Sequence, residues 1–144
     1  MLTSKDIALV RTSFSRVAAT GDAAADLFYD RLFVIAPELR ALFPADLAEQ
    51  KRKLMMMLAS AVGRLDDLAT LLPALKALGA RHAGYGTRTE HYGLVAEALL
   101  WTLARGLGEA FTPEVEFAWT KVYGVLAATM QDGAAEVTGL RAAE

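Results

Sequence analysis

Cysteine is absent from the 144-residue chain. This absence excludes disulfide frameworks, thiolate metal sites, iron–sulfur clusters and cysteine nucleophiles. β-Branched residues are scarce as well, with two isoleucines and nine valines against 28 alanines and 22 leucines. Because alanine and leucine head the helix-propensity scale whereas β-branched residues favour strands, the composition predicts an all-α protein.

Charge of one sign is also lacking, since the formal net charge is only −2. Such a balance provides no strong field toward nucleic acid or an anionic membrane, so neither is expected as a partner. No uncharged apolar run approaches the roughly 18 residues of a membrane span, and residues 1–6 lack the pattern of a signal peptide. We therefore expect one soluble, cytoplasmic domain.

Apolar residues, in contrast, are abundant. Hydrophobic residues make up 54% of the chain, to which eleven glycines add, whereas soluble domains are usually about 45–50% apolar with glycine included. Part of this excess is alanine that lets helices pack closely. The rest suggests a surface that the protein does not fill with its own side chains.

Helical periodicity with capping signals predicts six or seven helices and no strand. The first helix is expected to begin at Thr3 or Ser4, and a short helix bounded by prolines is expected over Pro37–Phe43. The clearest apolar stripe follows Asp46. Its members are Leu54, Met57, Leu58, Ala61, Val62 and Leu65.

Three further helices are expected in the second half of the chain. The first runs from about Leu72 to Ala83 and is ended by Gly84 and Gly86, and the second is capped by Thr89. The last begins at Thr112-Pro113-Glu114 and ends at Asp132-Gly133, which leaves residues 133–144 as a C-terminal tail. These unequal lengths favour an irregular helical stack over a four-helix bundle.

The chain holds only two histidines and no phosphate loop, nucleophile elbow or carboxylate cluster. His82 is predicted in the last turn of an apolar helix, with Leu75 and Leu78 on the same side. There one imidazole nitrogen can ligate a haem iron while the other donates to the Leu78 carbonyl. The alternative is a histidine that only stabilises a helix end. His91, beside Glu90, is interpreted as solvated.

Three separated segments carry a resemblance to a known family. They are PELRALF at 37–43, LGARHAGYG at 78–86 followed by EHY at 90–92, and AWTKVYGVL at 118–126. In order and spacing, from about residue 2 to 132, the chain resembles bacterial single-domain haemoglobins and the globin domain of flavohaemoglobins. The resemblance implies a globin fold of six to eight helices around a haem pocket, with residues 1–132 as the globin domain.

The resemblance also implies roles for single residues around a haem b. His82 matches the histidine that ligates the iron, and Phe43 matches the phenylalanine against the porphyrin face. On the gas-binding side, Tyr29 and Gln50 match hydrogen-bond donors to the ligand, and Leu54 matches the aliphatic residue over the iron. The alternatives are a Tyr29 with an exposed hydroxyl, an exposed Gln50 within a charged run, and a Phe43 that is plain core.

Further cofactor contacts follow from the same resemblance and from the apolar stripes. Lys53 and Arg81 flank the expected slot, where they either pair with haem propionates or simply solubilise their helices. Met55 and Met56 lie off the stripe and are interpreted as packing. The remaining expected contacts are Met57, Leu78, Tyr85, Tyr92, Val95 and Leu126.

One position departs from the flavohaemoglobin pattern. In that family a tyrosine, matched here by Tyr92, and a glutamate hold the proximal histidine. The glutamate position falls on Ala134, and Glu136 follows two residues later. Without that carboxylate the imidazole is expected to be less anionic, so strong peroxidase-like activation is not expected.

The function expected from the resemblance is reversible binding of O₂, NO and related diatomic gases. NO dioxygenation is a possible activity, and because the chain carries no reductase domain it would require an external reductase. Two alternatives remain open at this point. One is a haem-based gas sensor that acts on a partner, and the other is a haem-free helical interaction domain.

Overall fold

A computed structural model describes residues 2–84 and 87–143, with side chains described as far as residue 136. Over these residues it contains six α-helices, two short 3₁₀ helices and no strand, which confirms the all-α prediction. The α-helices are α1 (Ser4–Ala18), α2 (Asp22–Ile35), α3 (Ala48–Gly63), α4 (Leu68–Gly84), α5 (Thr89–Leu107) and α6 (Pro113–Ala143). The 3₁₀ helices are Pro37–Leu42 and Gly108–Ala110.

Capping interactions confirm the predicted starts of the first and last helices. The Asp6 N–H donates to Thr3 Oγ1 and the Thr3 N–H donates to Asp6 Oδ2, each at 3.0 Å. This reciprocal pair satisfies two backbone donors at the start of α1. At the start of α6, the Val115 N–H donates to Thr112 Oγ1 at 3.2 Å, and Pro113 occupies the first helical position.

Two boundaries in the middle of the chain differ from the prediction. Helix α4 begins at Leu68 rather than near Leu72 and contains Pro73, whose ring lies on an exposed face. A proline in the second turn removes only one backbone hydrogen bond, so the helix continues through it. Helix α5 begins at Thr89, and its N-cap is Arg88 instead of Thr89.

His91, interpreted as a solvated side chain, is partly exposed and also has a structural role at the start of α5. His91 is half-buried, and its Nδ1 accepts the backbone N–H of Arg88 at 3.0 Å. A ring nitrogen thus satisfies one of the backbone donors that every helix start leaves unpaired. His91 is therefore part of the cap of α5.

The predicted end of the last helix is wrong. The backbone of α6 is helical through Asp132-Gly133 and up to Ala143, so residues 133–143 are not an irregular tail. Gly133 is buried, and a Cβ there would lie 2.1 Å from the Lys76 carbonyl oxygen of α4. This glycine therefore permits close helix packing instead of ending the helix, while the domain boundary at residue 132 stays a prediction.

The interior consists of two hydrophobic clusters. The larger joins α1, α2, α3, α5 and α6 around Val10, Leu32 and Trp119. Within it, Trp119 Nε1–H donates to Ser13 Oγ at 2.8 Å, which satisfies the buried indole. The smaller cluster lies under α4 and contains Ala61, Leu71, Leu75 and Met130. Of the helices described, none combines the length and apolarity needed to cross a membrane.

Candidate functional site

Three helices share a gradient of burial along their apolar stripes. The buried residues are Leu58 and Val62 of α3, Leu71 and Leu75 of α4, and Ala98 and Leu99 of α5. The half-buried ones are Leu54 and Met57 of α3, Leu78 of α4, and Leu94 and Val95 of α5. Large apolar side chains on the inner face of a helix are normally covered, so these half-exposed residues indicate an incompletely filled region.

Each of these half-buried residues packs against one of the two clusters, and we call the set the boundary residues. Leu54, Met57 and Val95 pack against the larger cluster, whereas Leu78 and Tyr92 pack against the smaller one. Leu126 of α6 packs against both. The predicted cofactor contacts of this apolar set are therefore divided between the two clusters, with Leu126 packed against both.

Tyr29 of α2 is buried, with 3% of its surface exposed, so the alternative of an exposed hydroxyl is wrong. Its ring packs against three phenylalanines, with centroids 5.0 Å from Phe28, 5.7 Å from Phe43 and 6.0 Å from Phe33. Burial raises the pKa of the phenol, and a hydrogen bond with the Gln50 side chain opposes this rise only in part. The hydroxyl therefore keeps its proton at neutral pH and can act as a donor.

Gln50 lies in the first turn of α3 and is half-buried, unlike its exposed neighbours Glu49 and Arg52. Its side chain lies close enough to the Tyr29 phenol to oppose the rise in the pKa of that phenol. Leu54 lies one turn further along α3, and residues four apart share a helix face. The structure thus brings the three residues predicted on the gas-binding side into one neighbourhood.

Phe43 follows the first 3₁₀ helix and is half-buried. Its ring meets Tyr29 and Phe33 edge to face, the Phe33 centroid lying 5.5 Å away. Arg40 holds the chain beyond it, because its guanidinium donates to the Pro44 carbonyl at 2.8 Å and to the Ala45 carbonyl at 2.9 Å. The sequence reasoning missed Phe33 as the link between the two rings, although its position four residues after Tyr29 is a usable signal.

His82 lies in the last turn of α4 and is half-buried. Its Nδ1 lies 2.8 Å from the Leu78 carbonyl oxygen, as predicted. A carbonyl only accepts, so the proton is assigned to Nδ1 and the lone pair to Nε2. This is the tautomer in which Nε2 can ligate a metal.

Tyr92 packs against the smaller cluster and Tyr123 packs against the larger one. The Tyr123 hydroxyl donates to the Tyr92 carbonyl at 2.7 Å, and burial raises the pKa of both phenols. Tyr92 and Ala134 line an open cavity of about 490 Å³ between the end of α4, the start of α5 and α6. The Glu136 carboxylate lies 3.0 Å from Lys76 Nζ and forms an ion pair with this lysine of α4.

Lys53 in the second turn of α3 and Arg81 in the last turn of α4 are exposed. Tyr85 lies outside the described residues, and the other predicted site residues are within them.

The globin family model matches residues 26–130 of the chain. The chain belongs to the globin family. This match confirms the predicted globin fold and the resemblance to bacterial globins. Membership of this family implies a haem protein that binds diatomic gases.

The relatives of this globin include both multidomain and single-domain proteins. It is 33% identical over 132 residues to a flavohemoprotein of Bacillus subtilis (strain 168), which covers 88% of the chain but only 33% of that relative. It is 32% identical over 146 residues to a neuroglobin of Tetraodon nigroviridis, which covers 92% of each. The chain thus spans about a third of the flavohemoprotein.

A solved structure is similar over the whole length of this globin. It is an engineered carbene transferase built on a candidate nitric oxide dioxygenase of Rhodothermus marinus. The TM-score is 0.88, the sequence identity is 28%, and 99% of each chain is covered.

The residues of this globin fit a haem. The half-buried apolar side chains offer a surface that the protein leaves partly uncovered, and the contact of His82 Nδ1 with the Leu78 carbonyl makes Nε2 the nitrogen that can ligate a metal. A protonated phenol and an amide stand among the same helices as hydrogen-bonding groups. An imidazole, an apolar lining and a few polar donors are the parts that a globin haem site requires.

Proposed function

We propose that this globin binds haem b through His82 Nε2 and takes up O₂ reversibly, with Tyr29 and Gln50 as the hydrogen-bonding residues for the gas. The burial of Tyr29 carries this proposal, because it keeps a protonated phenol packed against Phe43 and close to the Gln50 side chain, which lies one turn before Leu54. Such donors stabilise a partly negative ligand far more in a dry pocket than in water.

The bound haem supplies an iron whose open coordination position accepts a diatomic gas. The chain's own residues hold and orient it. The apolar contacts are Phe43, Leu54, Met57, Leu78, Val95 and Leu126, together with Tyr85 and Tyr92. Lys53 and Arg81 serve as cationic partners of the propionates, with their charged heads in solvent and their stems along the apolar boundary.

Absorption spectroscopy with a pair of histidine variants tests the proposal. The reconstituted protein is expected to show a Soret band in the ferric, ferrous and O₂-bound forms. His82→Ala should lose the histidine-ligated spectrum, whereas His91→Ala should keep it, because His91 caps α5. An unchanged spectrum in His82→Ala would show that His82 is not the iron ligand. Absence of a Soret band in the parent protein would instead favour the alternative of a haem-free interaction domain.

We further propose NO dioxygenation, the conversion of O₂ and NO to nitrate, with electrons from an external reductase. The support is the similarity to a flavohemoprotein and to the Rhodothermus marinus protein. Anaerobic protein mixed with O₂, NO, a generic flavin reductase and an excess of the reductase's own electron donor should consume NO over many turnovers. NO consumption that stops after one equivalent per haem would contradict catalysis. Gas carriage and gas sensing would then remain as the candidate functions.

A further inference from the structure

Helices α4 and α6 approach each other at two glycines. A Cβ added at Gly79 would lie 1.8 Å from the Met130 carbonyl oxygen, and one added at Gly133 would lie 2.1 Å from the Lys76 carbonyl oxygen. Both obstacles are backbone atoms, so rotation of a side chain cannot relieve either contact. Only a shift of one helix relative to the other would make room.

The two contacts define an antiparallel register. Gly79 follows Lys76 by three residues in α4, and Gly133 follows Met130 by three residues in α6, so each helix contributes one glycine and one carbonyl. The ion pair between Lys76 and Glu136, at 3.0 Å, continues the same register by one more turn of α6. The position of α4 on α6 is therefore determined by three successive contacts, two at glycines and one at an ion pair.

Other glycines within helices of the described chain lack this constraint. Gly63, Gly93 and Gly124 have open space where a Cβ would lie. A helix interior favours alanine over glycine, so glycine at 79 and 133 is disfavoured locally. The close approach supplies the physical reason for both.

The contact at Gly79 is directly linked to His82. Leu78, whose carbonyl holds His82 Nδ1, immediately precedes Gly79, and His82 lies less than one turn beyond it. A displacement of α4 at Gly79 therefore moves both the imidazole and the group that orients it.

We propose that Gly79 and Gly133 are positioning residues for His82: their contacts with α6 and α4 set the depth at which α4 presents Nε2 to the haem. This inference rests on the proposed function, because it concerns the ligand of the haem iron. Removal of either close contact is expected to weaken or tilt the bond between His82 and the iron without altering the ligand itself.

The test compares Gly79→Ala and Gly133→Ala with Gly93→Ala and Gly124→Ala. In ferrous haem-loaded protein, the iron–histidine stretching band in resonance Raman should shift in the first pair and stay in place in the second. Transfer of haem to an acceptor globin should become about tenfold faster in the first pair only, the scale expected when an outer partner of a metal ligand is disturbed. A band at the parental frequency in a folded Gly79→Ala protein would overturn the proposal.

An imidazole that is not covalently attached to α4 distinguishes an effect on the position of His82 from a general disruption of the haem site. In His82→Gly with added imidazole, the ligand is no longer tied to α4. Adding Gly79→Ala to that variant should leave the band unchanged if Gly79 acts through the position of His82, and a further shift would contradict this. Failure of both glycine variants to fold, shown by circular dichroism, would overturn a role confined to positioning.

The outcomes also distinguish the two proposals. If the parental protein shows no band that His82→Ala abolishes, the proposed ligand is wrong. If the band is present but insensitive to both glycine substitutions, only the positioning role is wrong.

Discussion

At the scale of single residues, Tyr29 illustrates how burial sets a chemical role. A phenol in water already keeps its proton at neutral pH, and burial raises its pKa further. Three phenylalanine rings pack against the Tyr29 ring, and the Gln50 side chain lies close to the Tyr29 hydroxyl. A donor fixed in this way loses little entropy when it binds a ligand.

Tyr29→Phe should therefore speed O₂ release. Loss of one hydrogen bond to a partly charged ligand is worth about 1–3 kcal/mol, and about 1.4 kcal/mol corresponds to a tenfold change in rate. Stopped-flow displacement of O₂ measures the effect. Tyr123→Phe is the matched control, because its hydroxyl is bonded to the Tyr92 carbonyl. Equal release rates in Tyr29→Phe and the parent would refute the role of Tyr29.

Asp6 provides a second prediction at this scale. The hydrogen bond from Lys121, with that from the Thr3 backbone next, lowers the pKa of Asp6 to about 2 from an ordinary 3.8. A depressed folded pKa means that its stabilisation is complete above about pH 4 and is lost as the pH falls toward 2.

Asp6→Asn should lower the urea midpoint at pH 7 and flatten the loss of stability between about pH 4 and pH 2. Urea unfolding at several pH values, followed by circular dichroism, measures both effects. The exposed Asp132, changed to Asn, serves as the control and should reproduce the parental acid profile. A parental acid profile in Asp6→Asn would contradict the linkage.

At the scale of the helix, local signals determine the starts of α1 and α6 more firmly than their ends. Thr112 and Pro113 together specify where α6 begins, since one accepts a backbone N–H and the other needs no acceptor. Its end depends on packing with α4 instead, as Gly133 shows.

Thr112→Ala should accordingly cost about 1 kcal/mol of unfolding free energy, the usual value of a helix N-cap. Thr120→Ala, an exposed position inside α6, should be neutral or slightly stabilising, because alanine favours helices. Urea denaturation at neutral pH compares the two. A smaller loss at Thr112 than at Thr120 would show that the cap does not stabilise α6.

At the scale of the whole molecule, the half-buried boundary residues of α3, α4 and α5 pack at the edges of the two hydrophobic clusters. Such a boundary has fewer buried apolar contacts than the core around Trp119. Regions of low local contact open at lower free energy than the core. A ligand that binds only the folded state stabilises it by mass action.

Haem is therefore expected to raise the melting temperature and to protect α4 selectively. Hydrogen exchange with and without haem should show slower exchange for residues 75–84 and 50–57. The amides of α1 around Val10 and Phe14, which are buried in the larger cluster, should change little. Uniform protection of all helices, or none in α4, would argue against haem at this boundary.

Much of the fold followed from local chemistry in the sequence. Caps such as Thr3 and Thr112 act within one turn, and apolar stripes repeat with the helical period, so both are legible without tertiary structure. The bond between His82 and the Leu78 carbonyl was predictable for the same reason, since its partners are four residues apart. The resemblance in three segments indicated the family and the site residues.

Tertiary structure decided what depends on two distant segments meeting. The sequence indicated that His82 stands at a helix end, but only the fold shows α4 seated on α6 through Gly79 and Gly133. It also indicated Gln50 and Tyr29 separately, whereas the proximity of the two side chains requires α2 to lie beside α3. The excess of apolar residues was visible from the composition. Only the tertiary structure shows which of these residues are half-buried and which cluster each one packs against. The physical reason is the sequence separation of the interacting residues. Capping and periodicity involve residues a few positions apart, whereas the role of a glycine in helix packing depends on a distant backbone segment that contacts it.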